Sequence, residues 1–159
     1  MNFKGMFVME NITKEKSCAF YASDYHFEMI SLPYISKSMD ENKEIVILTE
    51  NNLKDTVNTL ISKMNLKEEK QKKILSLDWN NNDLKKFKEI SKKSKENVDM
   101  VIFIKGKQNY IKNINKNIEK WVTANNHIKI IDCYEFFEIE EKIDDIAKEY
   151  DKVLGTSRI

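Results

Sequence analysis

Glycine and proline are scarce in this sequence, with three of the first and one of the second in 159 residues. All-β folds and flexible linkers draw heavily on both, so neither suits this chain. The phosphate loop GxxxxGK[ST] and the dinucleotide fingerprint GxGxxG are both missing. With them goes the backbone cradle that nucleotide-binding α/β proteins place after their first strand. No window approaches the ~18 apolar residues of a membrane span, and residues 1–13 hold no signal-type apolar stretch. The expectation is a soluble, intracellular, cytoplasmic protein with no membrane contact. There are two cysteines and two histidines, dispersed along the chain without zinc-ligand spacing. Neither a metal nor a cofactor is expected. Cys18 and Cys133 lie inside apolar runs and read as reduced core residues rather than a disulfide.

Charge of one sign is also lacking. Twenty-seven basic and 26 acidic residues leave a net charge of +1. The isoelectric point is about 7.7, below the ~9 and above of a typical nucleic-acid-binding domain, so direct nucleic-acid binding is not expected. The lysine-rich stretches 67–73 and 85–95 are interspersed with glutamate and read as solvated helix sides. Hydrophobic residues make up 41% of the chain, enough with so low a net charge for a folded globule rather than disorder.

What is present is an alternation. Apolar runs at 18–22, 44–49, 73–78, 99–104 and 127–133 have strand length and β-branched or aromatic content. Their continuous apolarity suits strands buried on both faces, as in a parallel sheet. Amphipathic stretches separate them. Residues 55–64 align Val57, Leu60, Ile61 and Met64, with Asn51 or Asn52 as cap. Asp83 is placed to cap a helix carrying Leu84, Phe87 and Ile90. Residues 110–124 repeat Ile111, Ile114, Ile118 and Trp121 before an Asn125-Asn126 stop, and residues 139–154 repeat Ile139, Ile143, Ile146, Tyr150 and Val153 before Gly155. Around Pro33, either a helix begins near Leu32 or a longer helix kinks. Phe27, Ile30, Tyr34, Ile35 and Met39 face the core in both cases. Residues 1–16 form a lead-in or, through residues 6–9, an edge strand. The expected fold is one α/β domain over residues 1–159. Its sheet is mostly parallel, of about five strands, with helices on both faces.

In such a sheet, ligands bind beyond the carboxyl ends of the strands. That edge gathers Tyr21, Ser23, Asp24, Tyr25 and His26 after the first run, and Thr49 and Glu50 after the second. It adds Asp78 and Trp79 after the third, Lys105 and Lys107 after the fourth, and Tyr134 after the fifth. His26, between Asp24 and Glu28, reads as an acid, base or pH-sensitive contact, or simply as a capping residue. Trp79 either stacks a flat ligand or covers the sheet. A low-pKa Cys133 beside Tyr134 is the alternative to a core thiol. A nucleotide hydrolase often ends its metal-supporting strand in Asp; here Lys105 stands there and would repel the metal.

Several of these segments together resemble the methanogen/methylotroph sensory (MEDS) domain family. The matching stretches are Cys18-Ala-Phe-Tyr-Ala-Ser-Asp24, Leu32-Pro-Tyr-Ile35, Asp40-Glu-Asn-Lys-Glu44 with Ile45-Val-Ile-Leu48, and Ile130-Ile-Asp-Cys-Tyr134. The sequence departs from the family pattern at Ser17, where His is frequent, and at Ser38, where Gly is frequent. The resemblance implies a RecA/KaiC-like fold without a working phosphate loop. It also implies a non-catalytic sensory or regulatory role, with a histidine kinase or transcription regulator as signalling partner and a small-molecule ligand or a second copy as further candidates. Two other readings stay open. One is a degenerate nucleotide-binding protein using Lys105 or Lys107; the other is a small enzyme built on His26.

Overall fold

Residues 15–121 and 127–155 are described by a computed structural model of the protein. Five strands form one sheet: β1 (Ser17–Tyr21), β2 (Glu44–Thr49), β3 (Met100–Gly106), β4 (Ile128–Glu135) and β5 (Lys152–Leu154). Their order is β2-β3-β4-β1-β5, and every pair is parallel. Strand alternation sorts the side chains into two faces. The row Thr49, Lys105, Cys133, Ala19, Leu154 lies on the first; the neighbouring row, Ile104, Asp132, Cys18, Val153, lies on the second.

Each face carries its own helices. The first face is covered by α1 (Asp24–Asp40), α2 (Lys54–Ile61) and α3 (Glu68–Leu75), which bring Phe27, Ile35, Val57, Ile61 and Ile74 onto Ile47, Phe103 and Ile131. The second is covered by α4 (Asp83–Lys95), α5 (Gln108–Trp121) and α6 (Ile143–Ala147), which bring Phe87, Ile90, Ile111, Ile114, Ile118 and Ile146 onto Leu48, Ile102 and Ile104. Chain direction accounts for α1 on the one hand and α4, α5 and α6 on the other; α2 and α3, at the start of the β2-to-β3 connection, pack beside α1 before α4 completes the crossover on the second face. The β1-to-β2 connection crosses the sheet one way, and the later connections return the other way. Crossovers of one hand that travel in opposite directions lie on opposite faces.

Two expected elements are corrected. The run 73–78 is not a strand: it is the end of α3 and the turn after it. That helix reads EEKQKKIL over residues 68–75, mostly good helix formers, and of its residues only Ile74 is fully buried. The stretch 139–154 is not one helix. A short 3-10 turn at Phe136–Glu138 precedes it; the stretch itself opens with another at Glu140–Lys142, continues as the five residues of α6, and ends as β5. Pairing with β1 wins over helical periodicity there, because the otherwise open side of β1 needs partners. The Lys16 carbonyl at its start accepts the Asp151 and Lys152 N–H groups.

Pro33 lies inside one continuous helix, α1, with Phe27, Ile30, Leu32 and Ile35 buried. Leu53 rather than Asn51 or Asn52 occupies the cap position of α2, and Asn82 rather than Asp83 that of α4. Leu84 faces solvent. The expected edge strand at residues 6–9 and the stop at Asn125-Asn126 lie outside the described residues.

Candidate functional site

The connection leaving β1 goes to the first face, and the one leaving its neighbour β4 goes to the second. Strand ends that diverge in this way open the crevice of an α/β sheet. The chain turns into α1 with Ser23 as N-cap. The Ser23 hydroxyl accepts the His26 N–H at 3.1 Å, and the His26 Nδ1 accepts the Ala22 N–H at 2.9 Å. His26 therefore locks the turn through one ring nitrogen, which is the capping role.

Behind this turn lies a polar triangle. Asp24 Oδ1 is 2.9 Å from Lys105 Nζ, Asp24 Oδ2 accepts the Asn51 amide at 2.9 Å, and Lys105 Nζ donates to Asn51 Oδ1 at 2.8 Å. The Lys105 side chain is only 3% exposed, and its ammonium stands 4.6 Å from the centre of the Tyr21 ring and 5.6 Å from that of Phe27. A buried cation needs an opposite charge and hydrogen-bond acceptors; this one has both. The triangle joins the first turn of α1 to the ends of β2 and β3. Thr49 steadies it by donating to the Asn51 carbonyl at 2.9 Å, and Glu50 Oε1 accepts the Lys107 N–H at 2.6 Å.

One turn further along α1, Glu28 is fully buried. Its Oε2 accepts the Thr56 hydroxyl, while Oε1 has no hydrogen-bond partner among the described residues. Burial pushes this carboxyl above the usual range; the Thr56 hydrogen bond and Lys105 oppose the shift, and Asp24 adds to it.

The structure gathers only part of the expected set. Tyr21, Asp24 and Lys105 meet on the first face, with Ser23, His26, Glu50 and the exposed Tyr25 around them. Trp79 is 1% exposed and donates from its indole N–H to the Ile74 carbonyl at 2.8 Å, so it is a core residue and its ring is not available for stacking. Asp78 accepts the Asn80 N–H and the Asn82 amide, each at 3.0 Å, and lies 3.7 Å from Lys86. Tyr134 belongs to the second face, stacked on Phe20 with ring centres 5.9 Å apart. Three groups are more central than the sequence suggests. Its local pattern marks Asn51 only as a cap, Glu28 only as a neighbour of His26, and Asp132 only as a flank of Cys133. A charged residue inside an apolar run, as at Asp132, is the signal that marks the last.

Both thiols are buried and free. Burial, then Asp132, pushes Cys18 up to about 12, and the same two causes push Cys133 well above its ordinary value. Among the described residues, no three His, Cys, Asp or Glu side chains are grouped to hold a metal ion. Comparison with protein-family models, curated proteins and solved structures finds no match for the chain.

Proposed function

We propose that this protein is a non-catalytic sensory or regulatory module that recognises a small molecule at the carboxyl edge of its sheet and signals through a partner protein. The observation that carries the reading is the Asp24–Asn51–Lys105 triangle, which ties α1, with its exposed Tyr25, to the ends of two strands. A ligand that competes for one corner would shift α1 against the sheet, and a shift between packed elements is a usual route from site to surface. The commitment of His26 to a backbone N–H, the inert thiols and the all-parallel sheet agree with the non-catalytic RecA/KaiC-like domain that the MEDS resemblance implies. A histidine kinase or transcription regulator fits as partner on the same ground.

A screen of small metabolites by thermal shift tests this. The expected result is at least one compound that raises the melting temperature of the native protein, with affinity at least tenfold weaker in the Tyr25→Ala, His26→Ala double variant. A metabolite turned over above background, or ATP hydrolysed with Mg²⁺, would replace the reading with an enzymatic one.

A further inference from the structure

On the second face, away from the Lys105 triangle, a cavity of about 410 Å³ opens between α5 and the segment that follows α6. Asp132, Tyr134 and Tyr150 line it. Asp132 stands in the central strand β4, between Ile104 on one side and Cys18 on the other, and is 8% exposed. Its Oδ2 accepts the Tyr150 hydroxyl at 2.6 Å and its Oδ1 accepts the Asn115 amide at 3.1 Å. The Tyr134 and Tyr150 hydroxyls are 2.6 Å apart, so with Tyr150 donating to Asp132 the chain of donors runs from Tyr134 through Tyr150 to the carboxylate.

This carboxylate has hydrogen bonds but no ion pair among the described residues; Lys16 is near enough to favour its charged form without contacting it. No Lys, Arg or His nitrogen lies within ion-pair distance of it among the described residues. A buried charge is ordinarily paired, and each carboxylate oxygen has room for a second donor. Two lysines and two glutamates share the rest of the lining, so their charges balance and the charge of Asp132 is left over. The two tyrosine rings meet at 75° with centres 6.2 Å apart, presenting aromatic surface beside the anion. Carboxylate, aromatic surface and a cavity within the ~300–1,000 Å³ range of small-ligand sites are together the chemistry that holds an organic ammonium ion.

We propose that this cavity is a binding site for a small organic cation, a primary or quaternary alkylammonium, with Asp132 as its counterion and Tyr134 and Tyr150 as its aromatic wall. The site is separate from the carboxyl-edge site and stands or falls independently of it. Lys112 and Lys116 at the lining limit the size of the cation and weaken its hold.

The test is titration of the native protein with n-butylammonium and with choline, each beside its uncharged isostere, n-butanol and 3,3-dimethyl-1-butanol, followed by amide chemical shifts. Saturable shifts at Asn115, Asp132 and Tyr150 are expected for at least one cation, with the isosteres at least tenfold weaker. Asp132→Asn, checked for folding by circular dichroism, should weaken the cation tenfold or more, and Lys116→Gln should tighten it two- to threefold. Should Asp132→Asn fail to fold, the comparison of cation with isostere in the native protein decides alone. The proposal is overturned if neither cation binds saturably, if the isosteres bind as well as the cations, or if a folded Asp132→Asn binds them unchanged.

Discussion

Lys105 shows how a single residue can be legible in place and illegible in role. Its position at the end of an apolar run marks it as an edge residue with a charge to satisfy. Its partners, Asp24 and Asn51, come from 81 and 54 residues away, and no local pattern links them. Truncation should measure the bond. Lys105→Met leaves Asp24 and Asn51 facing an apolar side chain and should cost about 1–3 kcal/mol in urea denaturation. Asp24→Asn should cost at least as much, because it leaves the buried Lys105 ammonium without its opposite charge. The double variant should lose less than the sum of the two, with a coupling of about 0.5–3 kcal/mol; strict additivity would mean that the triangle is not a unit. Glu28 and Asp132 make a second case, since burial raises both carboxyls. A carboxyl raised in the folded state holds its proton when the unfolded chain has already lost it. Stability from such a group is complete below the ordinary carboxyl range of about pH 4 and is lost as pH rises through the raised folded value. Chemical denaturation between pH 4 and 8 should therefore give a shallower decline for Glu28→Gln than for the native protein. An identical slope would show that Glu28 titrates normally.

At the scale of elements, the runs that form strands β1 to β4 share one property: each is rich in apolar or β-branched residues, interrupted in β4 only by Lys129 and Asp132 before the closing Glu135, and is largely buried, so local pattern and tertiary environment agree. The two segments that depart from expectation share the opposite property. Residues 73–78 pair a good helix-forming lead with a single anchor, Ile74, and residues 152–154 are exposed or half-buried and become a strand only because β1 has a free side. The resulting sheet has the expected number of strands from a different set of segments. The β3–α5 junction offers an element-scale test. A Cβ at Gly106 would stand 2.5 Å from Glu50 Oε1 and 2.7 Å from the Tyr110 ring. Tyr110 is held by its hydroxyl on Asp83 at 2.9 Å, and Glu50 by the Lys107 N–H, so neither moves without losing a bond. Gly106→Ala should destabilise the protein by about 1–3 kcal/mol, as overpacking does, read as a fall in the urea midpoint. A neutral change would mean that the Glu50 contact is expendable.

For the whole molecule, a parallel sheet has two edges, and each is a template for pairing with another chain. The edge at β5 is three residues long. The edge at β2 is six residues long with four consecutive apolar residues, Ile45 to Leu48, and it is blunted by side chains rather than by length. Lys86, 2% exposed, sends its ammonium to the Ile47 carbonyl on the side of β2 away from β3, and also to the Asn80 carbonyl; Asn81 donates to the Thr49 carbonyl at 2.9 Å. Burial lowers the pKa of Lys86, while Asp78 and Asp83 act against that shift and favour the charged form. A broad groove of about 1,090 Å³ runs along the same edge between α3 and α4, with Lys73, Lys85 and Lys88 among its lining residues. Charged side chains along an edge discourage strand addition, because a docking chain would have to displace or bury them. Lys86→Met removes the buried plug, leaves the Ile47 and Asn80 carbonyls without their donor, and keeps the length of the side chain. Leaving those two carbonyls unsatisfied should cost about 1–3 kcal/mol. The exposed ladder groups of β2 should then be satisfied by β2 of a second molecule. Sedimentation velocity over a hundredfold range of concentration should show a shift towards larger species in Lys86→Met at concentrations where the native protein does not change. A variant that stays folded and sediments like the native protein throughout would show that the outer lysines protect the edge without Lys86.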